Sequence, residues 1–331
     1  MINIIITIDY ELFGNGRGDV RKHIIDPTDR LISIASVFNV PLTIMFEVFE
    51  YIHFEKYNKQ LQNDLGYSPK DLIKSQIKEA YLLGNDVQLH IHPQFMDMQY
   101  RNGKLVPRNP QLSVFDLDEH QTYKLIKTAK EKLESLIPSS NFRCLALRLS
   151  NMGWIEAPPH AARAMEKLGI KVHSLSSVCA PVGEKGYLRL YDTSVYEIPI
   201  YTIPSRLYSF LKPRFLLPLL YLWFYDPPFS ATASPNIGKG KYSSRLSSYK
   251  RVSMKWDLSK LSWRDMINML DHAINHYNYQ ENEIPLIMIG HTKDFFNDHN
   301  FRRFLEVVNQ KYVPQNIVRF TTLAEFIKEN L

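Results

Sequence analysis

The chain has 331 residues, enough for one large core or two modest ones. Its 40 basic and 34 acidic residues leave a formal charge of +6 spread along the sequence without a cluster, which argues against a nucleic-acid-binding arm. No run of 18 apolar residues marks a spanning helix, and two cysteines, Cys144 and Cys179, are too few for a disulfide framework, so a reducing cytoplasm is the expected compartment. The mild basic excess leaves anionic sugars or an anionic membrane surface as partners.

The first element, "INIIITI" within "MINIIITIDYELFG", lacks a basic region before its apolar run and a small-residue cleavage site, and reads as a strand. "DPTDRLISIASVF" follows as a helix, with Asp26 the expected N-cap and Pro27 in the first turn. "VPLTIMFEV" is a second strand. "SPKDLIKSQIKEAYLLG" has the order Ser, Pro, periodic run and closing glycine of a capped helix. "DVQLHIH" is a third strand, "DLDEHQTYKLIKTAKEKLESLI" a long helix, "FRCLALRL" a fourth strand, "PPHAARAMEKLG" a helix closed by Gly169, and "IKVHSL" a short strand. Later, "SWRDMINMLDHAINHY" is helical, "IPLIMIG" is a buried strand, and "FRRFLEVVNQKY", "IVRF" and "TLAEFIKENL" complete the alternation. About seven βα units predict an α/β fold with parallel strands, a closed or nearly closed barrel with helices outside. A doubly wound open sheet is the alternative. Residues 201–256, rich in Tyr, Pro and Ser and without a period, read as an insertion or lid over one face of a single domain.

Chemistry in parallel α/β folds gathers at the carboxyl ends of the strands. The first strand ends in Asp9 and Glu11, the third in His90 and His92, the fourth in Arg148 with Asn151 and Trp154 beyond, and a late strand in His291 and Asp294. Residues at i and i+2 share a face, so Asp9 pairs with Glu11 and His90 with His92. Two imidazoles and a carboxylate form a common catalytic zinc set that leaves a position for water. The remaining carboxylate is then free to act as a base. Each feature has a plainer reading: a solvated strand terminus or cap for Asp9 and Glu11, a salt bridge for Arg148, and ordinary loop histidines. The coincidence of four polar strand ends favours a site for hydrolysis.

The ordered stretches "TIDYE", "VPLTIMF", "QLHIHPQ", "RLSNMGW" and "IGHTKDF" resemble the polysaccharide deacetylases, the NodB-homology or carbohydrate esterase family 4 proteins, from Ile4 to about Phe295. That resemblance implies a distorted (β/α)7-type barrel and a divalent metal, most simply zinc, held by an aspartate and two histidines. It implies Asp9 as the catalytic base, Arg148 as the residue orienting it, His291 as the general acid, and Trp154 as a pocket-lining aromatic, with Asn151 beside it in the substrate region. The family's metal-binding aspartate falls on Tyr10 here, so either Glu11 or Asp9 takes that role. The histidine spacing also differs from the family's.

The resemblance implies deacetylation of an N- or O-acetylated sugar in glycan assembly. Two alternatives remain: an amidohydrolase of a small nitrogenous compound on the same barrel, and a non-catalytic carbohydrate-binding relative disabled at Tyr10. Residues 206–229 join Arg206, Lys212 and Arg214 to a leucine- and aromatic-rich cluster, which suits either packing on the barrel or a peripheral membrane contact near a lipid-linked sugar.

Overall fold

In the computed structural model the described residues are 1–15, 17–101, 103–150, 156–175, 184–204 and 253–331. The fold is built around β1 (Ile2–Tyr10), whose nine residues are all buried. A strand so enclosed has neighbours on both edges and packing on both faces, which explains its almost unbroken apolar run. One edge pairs in parallel with β12 (Ile284–His291) from Ile2 to Asp9. The other edge is shared: β13 (Val318–Phe320) takes Ile2 to Ile4, and β2 (Thr43–Glu47) takes Thr7 to Tyr10.

From β2 the sheet continues through β3 (Asp86–Ile91), β6 (Ala146–Leu149), β7 (Val172–His173), β9 (Tyr196–Glu197) and, antiparallel at the edge, β8 (Leu188–Arg189). Beyond β9 the chain comes back to the other side: Ile200 bridges Ile287 of β12 in parallel, and the Tyr201 N–H bonds the Ile287 carbonyl at 3.0 Å. The sheet therefore curls into a distorted barrel of mainly parallel strands, as the alternation of elements predicts.

Side-chain parity divides the core. Ile4, Ile6, Ile8 and Tyr10 face outward into the large cluster beneath the helices. Those helices include α1 (Asp26–Ser36), α4 (Pro69–Leu82), α5 (Glu119–Leu136), α6 (Pro159–Lys167), α7 (Trp263–His276) and α8 (Asp298–Lys311). Ile5, Met45, Ala146, Val172, Ile287 and Ile289 form a second, inner cluster with Leu323, Phe326 and Ile327 of α9 (Leu323–Asn330). Helix α9 plugs the amino end of the barrel, where the Leu323 N–H bonds Thr43 Oγ1 and the Ala324 N–H bonds Asp86 Oδ2. The next inward positions toward the carboxyl ends are polar, and these make the site.

Several local expectations change. Asp26 does not cap α1: a π-helical turn, Arg21–Ile25, precedes it, and Asp19 Oδ1 accepts from the Lys22 N–H at 2.9 Å instead. Helices α2 (Val48–Lys56) and α3 (Asn58–Leu65) fill the stretch after β2. A hairpin of β4 (Met98–Arg101) and β5 (Lys104–Pro107) turns at Gly103, whose φ of +76° lies in the left-handed region. Ser68 does cap α4, accepting from the Asp71 N–H.

Of the expected insertion at 201–256, only the two ends are described. They are β10 (Thr202–Pro204) and β11 (Ser253–Lys255), paired antiparallel beside β12. The segment 206–229 lies outside the described residues, as do Asn151 and Trp154. Among the described residues no helix is long and apolar enough to cross a membrane.

Candidate metal centre and active site

Register places the site residues. Across the parallel strands Glu47 stands opposite His90, His90 opposite Arg148, and Asp9 opposite His291. Glu11 and His92 lie just past the ends of β1 and β3, with Pro93 starting a 3-10 turn directly after His92. Tyr10 points the other way, into the helix layer, where its hydroxyl donates to Gln76 Oε1 at 2.8 Å. The departure from the family pattern at Tyr10 thus sits outside the cavity, while Asp9 and Glu11 both face inward.

Asp9 is held from one side. Arg148, fully buried, donates from Nη1 to Asp9 Oδ1, from Nη2 to Thr7 Oγ1 at 2.9 Å, and from Nε to the Ser174 carbonyl at 2.7 Å. The other carboxylate oxygen, Asp9 Oδ2, faces His291 Nε2 at 3.5 Å and His90 Nε2 at 3.8 Å. Burial alone would raise the Asp9 carboxyl, but Arg148, with His90 and His291, holds it below its ordinary value. His291 moves down because burial outweighs Asp9. Its Nδ1 is buried and finds no hydrogen-bond partner among the described residues.

Glu11 stands among cationic and imidazole groups. Its Oε1 accepts from Lys293 Nζ at 2.5 Å, and Oε2 lies 3.1 Å from both His90 Nε2 and His92 Nδ1. Burial raises Glu11, yet Lys293, His92 and His90 prevail and hold it well below the carboxylate range. Glu47 Oε2 accepts from the His92 N–H at 2.7 Å and meets His92 Nδ1 at 2.8 Å; its Oε1 caps α2 through the Phe49 N–H. Here burial prevails, reinforced by Glu50 and Glu11, and Glu47 moves well above its ordinary value. Burial likewise pushes Glu50, which accepts from the Leu12 N–H, up to about 8. His92 falls to about 3, because burial outweighs the pull of Glu11.

These facts test whether a divalent cation fits. Four carboxylates, those of Asp9, Glu11, Glu47 and Glu50, are buried together, and Arg148 and Lys293 balance only two of them. The excess is neutralised either by protons on Glu47 and Glu50 or by a dication. His90 adds a stronger constraint. Its Nδ1 lies 3.0 Å from the Arg148 carbonyl oxygen, which can only accept, so Nδ1 carries hydrogen and Nε2 faces the carboxylates. A lone pair aimed at carboxylates calls for a proton or a cation between them. Against the cost of burial, Asp9 and Glu11 raise His90 above its ordinary value, as that predicament requires. One donor atom from each of Glu11, Glu47, His90 and His92 lies within 4.8 Å of the others, and Asp9, Glu11 and His291 form a second group on the same criterion. The mixture of imidazole and carboxylate fits zinc and similar dications.

Of the eight residues expected at the site, the structure brings together Asp9, Glu11, His90, His92, Arg148 and His291; Asn151 and Trp154 lie outside the described residues. Glu47, Glu50 and Lys293 join them without having been picked out from the sequence. Glu47 left one trace: a lone carboxylate ending the apolar strand "TIMFE".

No protein-family model matches the chain, and comparison with curated proteins gives no match. Among solved structures it is similar to a protein of Mycobacterium smegmatis whose naming as a polysaccharide deacetylase is itself an inference. The two share 14% identity at a TM-score of 0.51, over 99% of this chain and 89% of that one. A GH57 branching enzyme from Thermococcus kodakaraensis matches at 11% identity and a TM-score of 0.53, over 99% of this chain and 71% of its own. A family 4 acetyl xylan esterase from Clostridium thermocellum, solved with a cobalt ion, aligns at 10% identity and a TM-score of 0.44, over 100% of this chain and 93% of its own. At these identities the likeness is one of fold, and the chain shares its distorted α/β barrel with the Mycobacterium smegmatis protein, in line with the resemblance to the polysaccharide deacetylases.

Proposed function

We propose that the chain is a metal-dependent hydrolase that removes acetyl groups from N- or O-acetylated sugars. The observation that carries the reading is the meeting of a two-imidazole, carboxylate donor set with an arginine-anchored aspartate that faces a histidine across the same cavity. Glu11, His90 and His92 would hold the metal. When bound, a dication of this kind supplies an acidified water and polarises a carbonyl oxygen.

The chain's own groups divide the proton work. Asp9, kept ionised by Arg148, is the base: Oδ2 is free to take a proton from water, while Oδ1 is tied down. His291 is neutral at pH 7, since burial lowers it, and its Nε2 faces the same Asp9 oxygen. The proton taken by Asp9 therefore has a route to His291, which delivers it to the departing amine or alcohol. Lys293 holds Glu11 in place, and Arg148 ties down Asp9 Oδ1 so that Oδ2 is left facing His291, which register sets opposite Asp9.

In this reading the chain is one catalytic domain, with 201–256 as an insertion or lid. Its substrate is a cytoplasmic sugar intermediate of glycan assembly, free or lipid-linked, and zinc is the metal. The test is acetate release from a panel of N- and O-acetylated sugars with zinc present and after chelation, run beside cyclic amides. Zinc-dependent acetate release supports the reading. Hydrolysis confined to cyclic amides, or none by metal-loaded protein, overturns it.

A further inference from the structure

We infer that Glu47 is a fourth metal ligand, so that the centre is a two-histidine, two-glutamate set drawn from the ends of three adjacent strands. This rests on the metal-dependent reading above and adds a residue to it. Capping α2 needs only one oxygen, and Oε1 alone provides it by accepting from the Phe49 N–H at 3.0 Å. Short side chains serve that role ordinarily. Here a longer carboxylate, 1% exposed, carries its second oxygen inward instead, to 2.8 Å from His92 Nδ1. Glu47 is in register with His90, so β2 delivers its carboxylate on the level at which β3 delivers the first imidazole. A buried glutamate is costly unless it is paired, and no lysine or arginine pairs with Glu47 among the described ion pairs; its contact there is His92 alone.

Charge supports the same assignment. Lys293 already balances Glu11, and Arg148 balances Asp9. A dication placed among Glu11, Glu47, His90 and His92 would bring Glu47 the positive charge that its surroundings lack. Asp9, by contrast, has one oxygen committed to Arg148 and the other directed between His90 and His291, the placement of a base.

The distinction is testable because a positioning role needs only hydrogen-bond acceptance, whereas a ligand needs charge. Glu47→Gln removes the charge and keeps one oxygen, which can go on accepting from the Phe49 N–H, while its amide NH2 takes the place of the oxygen that accepts from the His92 N–H. Zinc affinity is measured by competition with a chromophoric chelator for the parent, Glu47→Gln and Asp9→Asn, with circular dichroism confirming the fold. We expect Glu47→Gln to bind zinc more weakly by at least about 100-fold, beyond the usual effect of losing a group that merely orients a ligand, and Asp9→Asn to stay within a few-fold of the parent. Binding by Glu47→Gln within a few-fold of the parent overturns Glu47 as a ligand and leaves the metal reading intact. A parent that binds no zinc overturns both. If Glu47→Gln does not fold, cobalt(II) absorption of parent and Glu47→Asp decides: a changed visible spectrum supports direct ligation, and an identical one refutes it.

Discussion

Replacing Arg148 with methionine isolates the contact that fixes the proposed base. The side chain is fully buried, and removing it deletes its bonds to Asp9, to Thr7 Oγ1 at 2.9 Å and to the Ser174 carbonyl at 2.7 Å. The larger effect falls on Asp9, which is 3% exposed and would be left as a buried charge without its main partner. Breaking one side of such a pair costs about 3–5 kcal/mol. The pH dependence follows from the direction of the Asp9 shift. In the parent Asp9 lies below its ordinary value, so it stabilises the fold above the unfolded-state pKa of about 3.9 and loses that contribution as pH falls through the lower folded value. Without Arg148, burial dominates, Asp9 rises above its unfolded value, and it destabilises the fold until the pH falls low enough to protonate it. Urea unfolding of metal-free protein should therefore show the largest gap between parent and Arg148→Met near pH 7, narrowing toward pH 4. Adding Asp9→Asn to Arg148→Met should recover much of the loss. A gap below about 1 kcal/mol that does not change with pH would show that Arg148 does not hold Asp9 ionised.

Metal binding at pH 7 should release protons, because Glu47 and His90 lie above their ordinary values in the metal-free protein and must give them up. Zinc titration in weakly buffered indicator dye would show this, along with weaker apparent affinity at pH 6 than at pH 8; affinity that does not change with pH contradicts it. His291→Ala should lower acetate release by on the order of 10² to 10⁴ while leaving zinc content unchanged; unchanged turnover removes His291 from the proton route. Gly290→Ala should destabilise the fold by about 1–3 kcal/mol, since a Cβ there would come within 2.8 Å of Leu258 Cγ and 3.1 Å of Ile8 Cδ1. Equal urea midpoints for this variant and the parent would show that the β12 seam relaxes freely.

The barrel was legible because its strands are buried on both faces and so read as short β-branched runs between amphipathic helices. The site was legible wherever two functional residues share a strand end at i and i+2, as Asp9 and Glu11 or His90 and His92 do. Glu47 lacks such a companion: what makes it part of the site is register across β2 and β3, opposite His90, and pairing between strands leaves no local mark. Lys293 was hidden similarly, since only the turn after β12 brings its Nζ to Glu11. Asp26 misled as a cap because Asp19, seven residues earlier, begins a π-helical turn that runs directly into α1. The hairpin at Gly103 has a local signal in "RNGK", a turn dipeptide that stands outside the alternation of parallel units.

In the proposed centre His90 and His92 supply the nitrogen half of a divalent metal site. Protein purified without chelator, as the parent and as the His90→Ala/His92→Ala double variant, should be analysed for metal by elemental mass spectrometry, with circular dichroism confirming that both are folded. The parent should carry close to one equivalent of a divalent metal, chiefly zinc, and the double variant almost none. Equal metal content in the two proteins, or none in the parent even after incubation with zinc, would contradict it.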